Sequence, residues 1–374
     1  MRILIDMSSV HSKNLFSSIP IYIMRFLDHI PSTENLQIIL LVNLELKFYM
    51  KKRYPHFEQH FLYRNYLFYR FPFIHSFYGR FTYKKALSKI EYDYEWIASD
   101  LDRSIPMKTN KKRIVVIHDL KGLKDGSIAY KIRNFYYYRK LMQSATKIIA
   151  ISTFTQQDIL KHFQIKASKI HVIYNSVTLA SQKTKVLNWP TQQPYILFVN
   201  TLLPYKNPLV LIKAFSKIQN ECQHHLIFIG KKNRYWNKVL LKTIHKLNLQ
   251  NRVHHLENLS PEELHYAYDK ASLFVSPSKR EGFGYTPIEA AMAKTPVLCS
   301  KSEALPDTTQ SLLEYYEPTD DYLALSQALL YSLQNPPSKE KLNAISKQFQ
   351  KDYSPQLQNS KILHLFYQLK EKSL

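Results

Sequence analysis

Residues 273–300 read LFVSPSKREGFGYTPIEAAMAKTPVLCS. Leu273–Ser276 and Val297–Ser300 are short apolar runs, and each predicts a buried strand. Pro287–Ala293, between them, predicts a helix. Strand, helix and strand in so short a span predict a crossover between parallel strands. The loop that joins the first strand to the helix holds two of only six glycines in 374 residues. Gly282 and Gly284 let the backbone turn tightly and come close to a ligand. The amides of Tyr285 and Thr286, with the helix start behind them, form an anion site. Glu281 lies in the loop and Glu289 is expected in the first helical turn. Carboxylates accept hydrogen bonds from vicinal hydroxyls, so two of them beside a phosphate site suit a sugar nucleotide. The same residues also fit a plain capped helix with a dipole-favoured glutamate.

The alternation continues outward. Tyr195–Asn200 (YILFVN), His225–Gly230 (HLIFIG) and Val253–Leu256 predict strands, and Asn207–Ile218 and Val239–Leu247 predict helices. Ser260-Pro261-Glu262-Glu263 is a helix start, with a serine cap, proline at the first position and glutamate three residues after the cap. In the first half, Ile3–Asp6, Leu36–Val42, Glu95–Ser99, Ile114–His118, Lys147–Ile151 and Ile170–Ile173 are candidate strands. Ser181–Pro194 is polar and aperiodic, with Pro190 and Pro194, and predicts an interdomain connection. The fold class expected is α/β, with two doubly wound Rossmann-like domains facing each other across a cleft. The expected division is residues 1–182, a linker over 183–194, a second domain over 195–350, and a C-terminal helix in 351–374 that packs back on the first domain.

Composition narrows the class. Average usage would give about 26 glycines. Neither G-x-G-x-x-G nor the Walker A loop is present. Cys222 and Cys299 are too few for a disulfide framework and suit a reducing compartment. The opening MRILIDMSSV reads as a strand rather than a secretory signal. No apolar run reaches the roughly 18 residues of a membrane span. The expectation is a cytoplasmic protein.

The net charge is +23, of which residues 1–186 carry +17. Lys47–Lys85 is the extreme segment, with 15 Phe or Tyr and 9 Lys or Arg against one acid, Glu58. Aromatic rings among basic heads suit an anionic membrane surface or an acidic acceptor. They also suit single-stranded nucleic acid, or an ordinary domain with an aromatic core and solvated lysines.

The spacing E-G-F-G-x-x-P-x-E-A-x-A from Glu281 resembles the signature of retaining GT-B glycosyltransferases of family 4. Five further segments resemble that family in the same order: Ile114–Leu120 (IVVIHDL), Ile148–Leu160 (IIAISTFTQQDIL), Lys169–Val177 (KIHVIYNSV), Tyr195–Asn207 (YILFVNTLLPYKN) and Ala304–Asp307 (ALPD). The resemblance implies transfer of a sugar from a nucleotide-diphosphate sugar, GDP-mannose-like or a UDP-sugar, with retention. It implies no essential metal and no cofactor besides the donor substrate. By resemblance, Lys206 contacts the donor diphosphate, Glu281 faces the donor sugar and Glu289 the ribose. Gly284, Tyr285 and Thr286 cradle phosphate through the backbone, with Gly282 and Thr201 beside them, and Arg280 or Lys279 compensates for the arginine absent next to Lys206. His118 reaches the sugar or reaction centre from the first domain.

A glycan or lipid-linked acceptor in cell-surface polysaccharide or lipopolysaccharide synthesis, on the inner face of the cytoplasmic membrane, follows from the same resemblance together with the basic aromatic segment. No nucleic acid is expected as partner.

The chain departs from the family at several places. Asn200 stands where the family has glycine, and Tyr205 where it often has arginine. Ser17–Tyr22 has no glycine where a glycine-rich loop is usual, and Asn175-Ser176 stands for Asn-Gly. A catalytically inactive, glycosyltransferase-like binding subunit is the alternative these departures leave open, with a basic nucleic-acid-binding protein third. Asp100-Leu101-Asp102 matches the D-x-D of metal-dependent transferases, but the other signals are GT-B and no metal site is expected.

Overall fold

The computed structural model describes residues 1–15, 17–31, 35–64, 72–99, 104–179 and 189–371, with backbone alone for 72–77. The chain divides into two compact units, Met1–Ser176 with Pro355–Leu374, and Val177–Ser354. Asp100–Asp102 and the segment 181–188 of the expected linker lie outside the described residues.

Among the described residues, the first unit is built on seven parallel strands: β1 (Arg2–Met7), β2 (Gln37–Asn43), β3 (Glu58–Leu62), β4 (Tyr94–Ile97), β5 (Lys112–Ile117), β6 (Lys147–Ala150) and β7 (Ile170–Val172). Their order is β3-β2-β1-β4-β5-β6-β7. Central strands such as β1 are buried on both faces and so read as near-continuous apolar runs. Helices Ser18–Asp28 and Pro355–Glu371 cover one face. Phe26 meets Trp96 edge-on at 4.5 Å, Tyr94 meets Phe366 at 6.0 Å, and Asn359 Nδ2 donates to the Phe26 carbonyl at 2.8 Å. On the other face Tyr83, Tyr137 and Leu141 join Leu41, Val115 and Ile117 in one buried cluster.

The second unit holds β8 (Tyr195–Val199), β9 (His225–Ile229), β10 (Val253–Leu256), β11 (Leu273–Ser276), β12 (Val297–Ser300) and β13 (Glu314–Tyr316). All pair in parallel, in the order β10-β9-β8-β11-β12-β13. Both sheets are therefore doubly wound, and each reverses direction once: between β1 and β4, and between β8 and β11. Ligands of such sheets bind beyond the carboxyl ends of the strands at that reversal.

The sequence reading missed two strands. β3 (EQHFL) lies inside the basic aromatic segment and is a half-buried edge strand, so its polar residues hide the pattern. β13 is a three-residue edge strand. The capping box at Ser260 and Glu263 forms as read. The helix expected from Val239 opens earlier, with a π-helical turn at Trp236–Leu240.

The helix after β11 spans Tyr285–Met292, beginning two residues before Pro287. Glu289 is thus its fifth residue and sits in the second turn, not the first as expected. The cause is Gly284, whose φ of 87° caps the helix early.

Glycine scarcity forces other residues into left-handed backbone. Asn207, Asn248 and Asn258 adopt φ of 60°, 54° and 59°, which asparagine tolerates better than most. Lys294 does so at φ 65° just past the helix Tyr285–Met292. Its N–H bonds the Ala291 carbonyl, and the Thr295 N–H bonds the Ala290 carbonyl, each at 3.0 Å. That pattern is a Schellman motif, whose left-handed residue is usually glycine. Lys294→Gly is expected to raise stability by about 0.5–1 kcal/mol, since the strain of a β-carbon at positive φ disappears; urea unfolding of the two proteins checks it.

Candidate active site

At the reversal of the second sheet, the loops leaving β8 and β11 run side by side. The Lys279 N–H donates to the Tyr205 carbonyl at 2.8 Å, tying one loop to the other. Lys206 ends a single 3₁₀ turn, Pro204–Lys206, and is only 7% exposed. Its Nζ lies 2.6 Å from Oε1 of Glu281, which is 6% exposed. Ser278 Oγ and Asn200 Nδ2 donate to the same oxygen at 2.9 and 3.4 Å. The Tyr205 ring lies beneath the Lys206 ammonium at 5.3 Å. The structure thus brings Lys206 and Glu281 together as a buried, hydrogen-bonded ion pair.

The loop carrying Glu281 is braced from β12. Ser300 Oγ and Ser302 Oγ both donate to the Ser278 carbonyl, at 2.5 and 2.6 Å. Glu303 Oε2 accepts the Glu281 backbone N–H at 3.0 Å, and the Ala304 N–H donates back to the Glu281 carbonyl at 3.3 Å. Glu303 holds a left-handed φ of 43° while doing so. Ser278 and Glu303 were missed by sequence reasoning. The signal was positional: Ser278 follows β11, which flanks the reversal, and Glu303 follows β12, the next strand along. Burial and the nearby Glu281 carboxylate push the Cys299 thiol well above its usual range, so this cysteine stays an inert, buried thiol.

Gly282 and Gly284 lie buried in the same loop. A β-carbon on Gly284 would meet Leu305 Cδ2 at 2.6 Å, in a backbone conformation that L side chains rarely adopt. Gly284 caps the eight-residue helix whose first residues are Tyr285 and Thr286, both half-buried. A helix start of this kind presents N–H groups without intrahelical partners. Glu289 accepts the Tyr268 hydroxyl at 3.0 Å. Burial first, and then that carboxylate, raise the Tyr268 phenol far above its usual range, so it remains a donor. Thr201 is exposed, and its N–H bonds Asn200 Oδ1 at 2.9 Å. Arg280 is half-buried in the loop itself.

His118 belongs to the first unit, immediately after β5. Its Nε2 lies 2.8 Å from the Ala98 carbonyl, which can only accept, so Nε2 carries a proton. Tyr22 packs edge-on to the ring at 5.2 Å. Burial lowers its pKa, against the opposing pull of the Ala98 carbonyl and Asp119. A neutral imidazole then has Nδ1 as an acceptor. Of the glycine-free segment, Ser17 sits at φ −82° as the residue before helix Ser18–Asp28, a conformation that needs no glycine. Among the described residues, no group of three or more His, Cys, Asp or Glu could hold a metal ion.

Two family models match the chain. The family described as "Glycosyltransferase Family 4" matches residues 51–181, and "Glycosyl transferases group 1" matches residues 180–351. Among solved structures, a glycosyltransferase from Rickettsia africae has a TM-score of 0.75 at 20% identity and covers 98% of each chain. Anabaena HepE, solved with UDP and glucose, has a TM-score of 0.73 at 16% identity, over 98% of this chain and 99% of that one. At these identities the structural likeness shows the fold. The chain belongs to the GT-B glycosyltransferases of family 4.

Among curated relatives, it is 29% identical over 227 residues to the O-antigen chain mannosyltransferase RfbU of Salmonella typhimurium. It is 26% identical over 241 residues to O-antigen chain mannosyltransferase B of Escherichia coli. The matched regions span 57% and 60% of this chain, and 62% of each relative.

Removing one partner of a buried ion pair strands the other charge, at about 3–5 kcal/mol. Lys206→Met is therefore expected to be strongly destabilising, and the double variant Lys206→Met/Glu281→Gln to recover much of the loss. Chemical denaturation of the four proteins of the cycle reads it.

A pH dependence follows from the histidines. Burial holds His118, His171, His224, His225, His254 and His255 below the usual histidine value. The unfolded chain takes up protons near pH 6.5 and the folded chain only below that. Stability present above about pH 6.5 is thus lost as the pH falls, and the melting temperature should drop steadily toward pH 5.5.

Proposed function

We propose that this chain is a retaining, metal-independent glycosyltransferase. It moves a hexosyl group, mannosyl by the names of its relatives, from a nucleotide-diphosphate sugar to a glycan or lipid-linked acceptor. The donor is GDP-mannose-like or a UDP-sugar, and no cofactor is needed besides it. The product belongs to cell-surface polysaccharide or lipopolysaccharide. The enzyme works peripherally on the inner face of the cytoplasmic membrane, with the basic aromatic region Lys47–Lys85 turned toward anionic lipid.

The observation that carries this reading is the Lys206–Glu281 pair at the sheet reversal, beside the Gly284-capped helix. Transfer to an acceptor from a diphosphate donor asks the protein for two things: a held sugar and a stabilised leaving diphosphate. Lys206 supplies a fixed cation for the diphosphate, and the Tyr285 and Thr286 amides add the helix start. Glu281 faces the donor sugar, and Glu289 the ribose. His118, after β5 of the first unit, is the further catalytic residue of this reading, on the family resemblance of IVVIHDL. The charges are held in place before the donor arrives, so little reorganisation is left to the reaction itself.

The departures at Asn200 and Tyr205 add contacts to this site. Asn200 donates to Glu281, and the Tyr205 ring supports Lys206.

The test is a thermal-shift panel of GDP-, UDP- and ADP-sugars, followed by transfer with the sugar that stabilises. A donor at 100 times its dissociation constant should add about 2.7 kcal/mol. The expected product keeps the donor's anomeric configuration by NMR, and Glu281→Ala or His118→Ala reduces transfer at least about a hundredfold. Stabilisation without transfer to any acceptor would favour the inactive binding subunit instead.

A further inference from the structure

Two helices of the first unit cover the same face of its sheet. Tyr83 of helix Pro72–Leu87 and Tyr137, Tyr138 and Leu141 of helix Ile128–Ser144 share one buried cluster with the strands. Neither helix contains a carboxylate. Both expose large apolar side chains on their outer sides. Tyr78 and Phe81 are 50% and 65% exposed on the first, and Ile128, Ile132 and Tyr136 are 78%, 52% and 55% exposed on the second. The last three recur every four residues, so they form one stripe along the helix. Exposed bases accompany them, namely Arg80, Lys84 and Lys85 on the first helix and Arg133, Arg139 and Lys140 on the second.

We propose that this two-helix face docks on a bilayer containing anionic lipid, with Ile128, Ile132 and Tyr136 entering the interface and the six bases meeting the headgroups. The proposal deepens the membrane part of the functional reading above and rests on it. It also moves the principal contact beyond Lys47–Lys85 to a helix that lies outside that segment.

Three observations select the occupant. Apolar side chains interleaved with bases and no acid fit an interfacial helix at an anionic surface. Ile128, the most exposed of the five, and Ile132 have no ring to stack on bases and suit an acyl boundary, whereas the rings of Tyr78, Phe81 and Tyr136 suit a membrane interface as well as nucleic acid. A second copy of this chain would bring the same acid-free, basic face against itself, and like charges repel across such an isologous contact. The short helix Lys47–Arg53 is a weaker candidate despite Phe48 at 87% exposure, because its seven residues expose one large apolar side chain and Arg53 is held by Asp28 at 2.7 Å.

The test is co-sedimentation of the full chain with vesicles of phosphatidylcholine alone, or with about one third phosphatidylglycerol, at low salt. The expected result is binding to the anionic vesicles only. Ile128→Ser/Ile132→Ser/Tyr136→Ser and Arg133→Glu/Arg139→Glu/Lys140→Glu should each weaken it about tenfold or more. Phe48→Ser/Lys51→Glu/Lys52→Glu should change it less than about twofold. Melting temperature and the thermal shift with a nucleotide sugar show that the variants fold. If only the Phe48 variant loses binding, this face is wrong and the membrane reading stands. If the unaltered protein binds no anionic vesicle, both fall. If the helix variants lose a dimer and keep vesicle binding, the face is a self-association surface and the proposal is overturned.

Discussion

A lysine and a glutamate at less than a tenth exposure, 2.6 Å apart, are an expensive thing to build. Desolvating two charges costs several kcal/mol each, and their attraction offsets it only when geometry and further hydrogen bonds are good. Much of the second unit can be understood as meeting that condition. The parallel sheet reverses between β8 and β11, which sets the loops of Lys206 and Glu281 side by side. Asn200 and Ser278 satisfy the shared carboxylate oxygen. Ser300, Ser302 and Glu303 then hold the loop from β12. A merely stabilising core would do as well with apolar residues.

The same constraint gives the scarce glycines their meaning. Gly230 has no room for a side chain, since a β-carbon there would lie 2.1 Å from the Asn200 carbonyl oxygen. It thereby lets β9 end against the loop that carries Asn200. Gly284 turns the chain into the helix behind Glu281. Elsewhere the chain manages positive φ with asparagine and lysine. Gly126, at φ 90° beside the Tyr130 side chain, serves a turn away from this site.

The strand–helix alternation was legible because buried parallel strands are continuous apolar runs, as in YILFV and HLIFI. The Glu281–Glu289 spacing, the two glycines and the family resemblance could be read directly. What escaped depended on tertiary contact. β3 is a polar edge strand, and its aromatic neighbours drew attention as a surface feature. Glu289 was placed a turn too early because Gly284, and not Pro287, starts the helix. Ser278 and Glu303 carry no motif of their own; they matter because β11 and β12 are adjacent in space. The ion pair itself joins residues 75 apart, and no local pattern announces it.

The central claim is that Lys206, held by Glu281, is the cation that receives the donor's diphosphate. Calorimetric titration of GDP and UDP into the unaltered protein and Lys206→Met, both well below their melting temperatures, tests it most directly. The account predicts that one nucleotide binds the unaltered protein and binds Lys206→Met about tenfold or more weakly, with a reduced salt dependence. Equal affinity and equal salt dependence in the two proteins would contradict it.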